Sequence, residues 1–540
     1  MLHSIPLVDV PDDKGVHVKS AGAKGEKYVY KYVQYYRNAN GDPRNKAIAI
    51  GKYDASSGKM YPNSKYYEVY QLALSLPDIS LWDYGYSYIV LKACRDTGLL
   101  DCLNQVFHEG AMDIVVMAAY IIREGNAMDG IDDWQQRNYF PGYTRLLTSQ
   151  SSSRIFASLT SKQRDDFFAL WIKIAIGSGN VCYDVTSISS YSQEMPTAER
   201  GYNRDGDDLF QYNLGMFCNE TTKAPIYYNR YNGSLTDKVN LSHVLANARA
   251  MGIERVKMIL DGGFWSEECI TSLHDFCDAF TMGMPVYLKE AKKFLSEYGG
   301  GIEQYRNELD KAHIYCVSAP AEIYGVTGRV LIYYDLWNRL NQCDELSSHI
   351  NRLKAELAAL KRYPKSKLSR YSPYFAIIKH EQGNGFSYHV DNDKVEKLRK
   401  DKGYFLLFST DMESSPSDIL DFYRAKDADE KIFAQIKVDM DGDRIRTHNE
   451  ETTDGKTFVT FIACILRTYL LRQLSTYLRE HSTSMKKVFN QLSNIIILSN
   501  QGEYRFAKAL TKRQKQILFT LHAENDIIDS VKNKVVSTRL

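Results

Sequence analysis

The chain has 540 residues, 44% hydrophobic and 25% charged, which is the balance of a globular protein too long for one small core; two to four domains are expected. A formal net charge of +2 gives no global sign of a polyanionic partner. Nine cysteines with no Cys-x-x-Cys or Cys/His ligand spacing favour reduced thiols in a cytosolic compartment over a disulfide framework or a zinc site.

In chain order, Lys27 to Gln34 alternates Tyr28, Tyr30 and Tyr32 against Val29, Lys31 and Val33, a period-two strand pattern. Turn residues from Asn38 to Pro43 and a return strand at Ala47–Ile50 complete a hairpin in a small β-rich unit ending near Pro62-Asn63 and Pro77. Its aromatic and basic groups suit stacking on DNA or cradling it, while a tyrosine stripe is equally one packed face of a sheet. Residues 84–176 read as helical: Ile114–Ile122 is a buried segment, Ser151–Arg154 offers caps, and Ser161 caps a second helix through Ile176. Two short helices and a turn fit a helix-turn-helix, with no base-reading residues to single out.

Strands are predicted at 180–187, 209–218 and 224–231, then a helix at 238–251, a strand at 255–260 and a helix at 266–277. Strands first, then alternating helix and strand, fits an RNase H-like α/β core. Further strands at 312–318, 328–335, 374–379 and 386–390 surround a helix at 343–362, and 290–400 reads as an insertion. Gly403–Ser409 returns to the core, Ser414-Ser415-Pro416 opens a helix carrying Glu430, and the remainder is helical and basic. From Phe461 to Leu540 there are 13 Lys/Arg against 5 Asp/Glu, and Arg352–Arg370 holds Lys354, Lys361, Arg362, Lys365 and Lys367 against Glu356 alone. Such stretches mark polyanion contact or solvated helix faces. Met1–Asp13 reads as no secretory leader, and the longest apolar run, Phe458–Leu471, is broken by Arg467 and too short to span a bilayer.

Three acids stand in distinctive settings. Asp184 interrupts Val181-Cys182-Tyr183-Asp184-Val185-Thr186-Ser187, Asp261 ends Val256-Lys257-Met258-Ile259-Leu260, and Glu430 lies in a helical segment. Carboxylates delivered by two strands and a helix suit hard divalent cations, a pair of which clamps the attacking and leaving oxygens of a phosphodiester. On a regular helix Tyr423, Lys426, Glu430 and Lys437 fall within an arc of roughly 60°. A carboxylate between two cations and a phenol suits a metal ligand beside phosphate backbones; a solvated charged face is the alternative.

These residues resemble the DDE transposases of bacterial insertion sequences, in the branch with a Y-(2)-R-(3)-E-(6)-K signature. Tyr423, Glu430 and Lys437 match it, with Lys426 in place of Arg. Tyr183–Ser187 resembles the family's first-aspartate strand, Gln211–Met216 and Pro225–Tyr228 the strands that follow, Asn232–Asp237 its Gly-Asn/Ser-x-x-Asp loop, and Leu260–Phe264 its second-aspartate turn. Asp427 and Asp429 stand where the family has Trp and an aliphatic residue. The resemblance implies catalytic, metal-holding Asp184, Asp261 and Glu430, two Mg²⁺ ions with Mn²⁺ as substitute, and backbone contacts from Tyr423, Arg424, Lys426 and Lys437. It also implies double-stranded DNA partners (terminal inverted repeats and target), a homodimer on DNA, and a cytoplasmic, nucleoid-associated location in a bacterium.

The domains expected are a β-rich unit at 1–80, a helical, possibly DNA-binding domain at 81–177, an RNase H-like core at 178–289 and 401–455, an insertion at 290–400, and a basic helical region at 456–540. A nuclease of the same core without strand transfer, and an inactive DNA-binding derivative, are the alternative functions. No Gly-rich phosphate loop with Lys-Ser/Thr points to a nucleotide cofactor, and no HExxH pair or G-x-S-x-G elbow occurs.

Overall fold

The computed structural model describes residues 7–532 except 22–25, 39–40, 71–78, 178–179, 193, 204–205, 207, 255, 312, 382–383 and 501–502. Pro77, Arg255 and Ala312, which bound predicted elements, lie outside the described residues. Contacts divide the chain into two units, residues 1–80 with 498–504 and residues 81–497 with 505–540.

The first unit is a five-stranded antiparallel sheet in the order Val8–Asp9, Lys59–Pro62, Pro43–Asp54, Lys27–Arg37, Val16–Ser20. Its buried core is Val29, Ile50 and Met60, with Val16, Ile48, Tyr53 and Tyr66 packed against it. The packed side of the long strand is therefore the valine side at Val29. Tyr30 and Tyr32 gather around the His17 ring instead, at 5.9 and 4.7 Å.

In the second unit Val181–Ser190 (β1), Phe210–Asn219 (β2) and Pro225–Asn232 (β3) run antiparallel. The helix Asp237–Ala250 (α1) crosses to Lys257–Leu260 (β4), parallel to β1, and Glu267–Phe276 (α2) crosses to Ala279–Met284 (β5), parallel to β4. The order β3-β2-β1-β4-β5 with these directions is RNase H-like. Parallel neighbours need such helical crossovers, and strands covered on both faces read as nearly unbroken apolar runs.

A hairpin, Ile314–Ile323 (β6) and Val326–Asp335 (β7), and the later strand Tyr404–Ser409 (β8) extend the sheet beyond β5 in the order β5-β8-β7-β6, all antiparallel. Sequence order places this hairpin in the insertion, whereas the structure builds it into the core sheet. Periodicity identifies strands but not their partners, and the partner here, β8, follows some 70 residues later in the chain. What stands off the sheet is the helix Leu336–Ala359 (α3) with the hairpin Phe375–Lys379 and Phe386–Val390, around Ile350, Leu353, Leu357, Tyr371 and Phe375.

The chain then forms Pro416–Arg424 (α4), Asp427–Ala434 (α5), the short strand Arg444–Ile445 (β9) beside the end of β1, and the 31-residue helix Glu450–Glu480 (α6). By length and composition Leu99–Glu124 and Glu450–Glu480 are apolar enough to cross a membrane, yet 67% and 78% of their apolar windows are buried inside the protein. The region predicted as wholly helical after α6 contains two short strands, Ile496–Asn500 and Glu503–Phe506.

Within α6, Lys456 is only 2% exposed, and its ammonium reaches the Arg446 carbonyl at 3.4 Å. Burial, reinforced by the Arg446 charge, pulls its pKa down to about 7. Below that pH the folded and unfolded chains both hold the proton, and the full cost of burying the charge is felt. Between about 7 and the ordinary lysine value near 10.4, only the unfolded chain stays protonated, so stability rises with pH across that window. Lys456→Met is expected to stabilise the protein by on the order of 3 kcal/mol at pH 6 and to flatten this rise, as read by urea unfolding at pH 6 and pH 9.

Candidate active site

All of β1 is buried except Asp184, which is half-buried in the middle of the sheet. The parallel register pairs Met258 with Val181 and Ile259 with Cys182. Extended two residues along each chain, this register brings Asp261, just past the end of β4, level with Asp184, and the alternation of a strand puts Cys182 and Asp184 on one face. The Val185 N–H donates to Asp184 Oδ1 at 2.8 Å. Asp261 caps the turn Gly262–Phe264, its Oδ1 accepting the Gly262 N–H at 2.7 Å and its main-chain carbonyl accepting from Phe264 at 3.1 Å.

The helix over this level is seated by the added strands. Ile419 and Leu420 of α4 pack on Leu331, Tyr333 and Leu407, with Tyr423 against the same cluster. A Ser415 cap with Pro416 behind it starts α4, and the Tyr333 hydroxyl donates to the Pro416 carbonyl at 2.7 Å. At the other end Arg424 pairs with Asp335 at 2.9 Å, and Lys223 reaches the Ala425 carbonyl at 3.4 Å. With both ends of α4 fixed, the Tyr423 hydroxyl lies 3.4 Å from Asp261 Oδ1. Burial, and then the carboxylate beside it, push the Tyr423 phenol up, so it stays a donor.

Next in the chain, Lys426 lies 3.4 Å from Asp261 Oδ2, 3.8 Å from Glu430 Oε1 and 5.7 Å above the Tyr423 ring. Glu430 is exposed on α5, which packs against β1 and β2. Tyr423, Lys426, Glu430 and Asp261 thus form one connected group, with Asp184 level with it on the adjacent strand. Among the described residues no three His, Cys, Asp or Glu side chains converge closely enough for one metal ion. Instead, the Lys426 ammonium stands between two carboxylates as the local positive charge. The donor set, carboxylate oxygens alone, is that of a hard divalent cation.

The regular stripe that the spacing predicts from Tyr423 to Lys437 is not kept. The helix is interrupted at Ala425-Lys426, where Lys426 N–H bonds back to Tyr423, and it widens into a π-turn at Gln435–Asp439. Both breaks change the angle per residue, and Lys437 lies within the π-turn. Arg424 pairs one guanidinium nitrogen with Asp335 Oδ2 at 2.9 Å.

Gly283 of β5 is a site residue that the sequence reading passed over. A Cβ there would stand 2.7 Å from the Tyr423 hydroxyl and 2.8 Å from the Gly262 nitrogen. A lone glycine inside a strand often signals such a close approach. Gly283→Ala is expected to push Tyr423 and the Asp261 turn apart and to lower the thermal midpoint while the chain still folds, which thermal unfolding of the variant beside the wild type checks.

No family model matches the chain, and no curated protein matches it. Among solved structures it is similar to the cryo-EM structure of the piggyBac transposase synaptic complex with hairpin DNA. The TM-score is 0.37 and the sequence identity 9%, over 78% of this chain and 75% of that one.

Proposed function

We propose that the second unit is a magnesium-dependent phosphoryl-transfer enzyme acting on double-stranded DNA, a DDE-type transposase that cuts the ends of its own insertion sequence and joins them to a target. The observation that carries this reading is the pair Asp184, on β1, and Asp261, at the end of the adjacent parallel strand β4 of an RNase H-like sheet, with Glu430 on the helix α5 that packs on that sheet. An ionisable group in the middle of an otherwise buried strand is costly unless it has a task.

Asp184, Asp261 and Glu430 would hold Mg²⁺, or Mn²⁺ in its place, through carboxylate oxygens. When bound, the metal supplies Lewis-acid polarisation of the phosphate and a more acidic oxygen nucleophile. The Tyr423 hydroxyl and the Gly262 N–H both hold Asp261 Oδ1, fixing the plane of that carboxylate and leaving Oδ2 toward Lys426. Lys426, which lies between Asp261 and Glu430, would turn to backbone phosphate when metal occupies the carboxylates; as a point charge it would bind phosphate without the planar fork of arginine. A homodimer on DNA and a cytoplasmic, nucleoid-associated location belong to the same proposal.

The test is strand cleavage of duplex DNA bearing the element's ends with Mg²⁺ or Mn²⁺, followed by incubation of pre-cleaved ends with a target plasmid. Cleavage with joined products is expected. Cleavage without joining would replace the transposase reading by a nuclease, and no cleavage by the folded chain would overturn both. The Lys426 bridge between Asp261 and Glu430 favours, as a second reading, a DNA-binding protein whose site already carries its own cation.

A further inference from the structure

Within the first unit, the strands Lys27–Arg37 and Pro43–Asp54 run past the rest of their sheet. From Val33 to Arg37 and from Pro43 to Ala47 every side chain is exposed. The strands on either side pair only with other parts, at Lys27–Lys31 and Gly51–Asp54. The two exposed lengths pair with each other alone: Gln34 with Lys46, Tyr35 with Asn45, Tyr36 with Arg44, Arg37 with Pro43. An isolated two-stranded ribbon is marginal in water, so this one depends on the sheet at its base.

Directly opposed residues share a face, so Gln34, Tyr36, Arg44 and Lys46 stand on one side and Tyr35, Arg37, Pro43 and Asn45 on the other. The second side is engaged within the unit: the Tyr35 ring meets Tyr32 at 5.9 Å, and Arg37 donates to the Gly41 carbonyl at 2.7 Å. On the first side, Arg44 and Lys46 have no acidic partner among the described residues. Three other lysines of this unit are neutralised, Lys31 by Asp13 at 3.0 Å, Lys52 by Glu26 at 2.7 Å and Lys59 by Asp9 at 3.2 Å, whereas Lys14, Lys19 and Lys27 form no ion pair among the described residues. On the ribbon, two unpaired cations thus stand on a narrow element beside an amide and a phenol.

We propose that this ribbon is an arm that enters a groove of double-stranded DNA with Gln34, Tyr36, Arg44 and Lys46 leading. The choice of DNA as the polyanion rests on the reading of the second unit given above. The shape fits: four residue pairs span roughly 14 Å, and the major groove, about 12 Å wide, admits a two-stranded ribbon. The chemistry fits as well, since guanidinium and amide groups pair with purine edges while an ammonium meets phosphate.

The experiment is fluorescence anisotropy of the full chain with a labelled random-sequence duplex of about three helical turns, over a range of NaCl concentrations. Arg44→Ala with Lys46→Ala is expected to weaken binding about tenfold or more and to make the salt slope shallower by about 1, because the phosphate-facing charge of Lys46 is lost together with the groove contact of Arg44. Lys52→Ala, at a paired position, is expected to bind as the wild type does. All of these positions are exposed, so an unchanged thermal midpoint separates lost contact from lost fold; Arg44→Gln with Lys46→Gln repeats the test with longer polar side chains. Wild-type affinity and slope in both double variants would overturn the arm and leave the active-site reading standing. A wild-type chain that binds no duplex would overturn both, and tighter binding of a single-stranded RNA of equal length would overturn duplex DNA as the arm's partner.

Discussion

Asp184→Asn is expected to reduce metal-dependent strand cleavage by about 10³-fold or more while moving the thermal midpoint by no more than about 2 °C. Asparagine keeps the shape of the side chain and an oxygen able to accept the Val185 N–H, which lies 2.8 Å from Asp184 Oδ1. It removes only the charge and one hard oxygen. If Asp184 were instead a packing residue of β1, a neutral isostere would cost little activity. Asp261→Asn is expected to behave alike, because Tyr423 and Gly262 still have an oxygen to hold. The paired readout matters: activity lost together with the midpoint would report misfolding, whereas activity lost alone reports chemistry.

The second large effect lies outside the site. Arg230 on β3, with a side chain 9% exposed, pairs with Glu450 and with Asp454, the latter at 2.6 Å, and lies 5.2 Å from the Tyr212 ring. Arg164 pairs with the other Asp454 oxygen at 2.9 Å, and Thr197 donates twice to Glu450, at 2.6 and 2.8 Å. This network joins β3 to the first turn of α6. Arg230→Met leaves two carboxylates facing each other without their shared cation, and is expected to cost about 3–5 kcal/mol. A fall in the urea midpoint at constant slope would show it. Asp454→Asn added to Arg230→Met is expected to cost less than the sum of the single changes. The network also has a pH signature. Burial alone would raise the Glu450 pKa, but the Thr197 hydrogen bonds and Arg230 outweigh it and hold the carboxyl below its usual value. Its stabilising share is complete above the ordinary glutamate value near 4.3 and is lost as pH falls through the lower folded one.

The central strands were legible because strands covered on both faces are rich in apolar, β-branched and aromatic residues, as at Val181, Tyr183, Val185 and Ile188. Val181–Ser190, Phe210–Asn219 and Pro225–Asn232 coincide closely with the predicted segments, and an acid inside the first of them stands out for the same reason. Ser415-Pro416 marked the start of α4 through ordinary capping chemistry. By contrast Ala279–Met284 is short and carries Thr281 and Gly283, so it gave no clear strand signal, although Gly283 is where the sheet meets Tyr423. The membership of β6 and β7 in the core sheet was hidden because pairing with β8 is a long-range choice that no local pattern encodes. The break at Ala425-Lys426 and the π-turn at Gln435–Asp439 were invisible to an argument that assumed constant helical pitch. The Lys426 bridge, which decides the local charge, depends on that break and on the Asp261 turn together.

Whether Asp184 and Asp261 bind one divalent cation in common decides the proposed function most directly. Calorimetric titration of Mn²⁺ into the wild-type, Asp184→Asn and Asp261→Asn chains, with thermal unfolding of the same samples, measures this. The wild type is expected to bind and, at a hundredfold excess over Kd, to gain about 2.7 kcal/mol of stability, with both effects lost in each variant. Mn²⁺ that leaves the wild type unchanged, or binds Asp184→Asn and Asp261→Asn as tightly as the wild type, would contradict the proposed site.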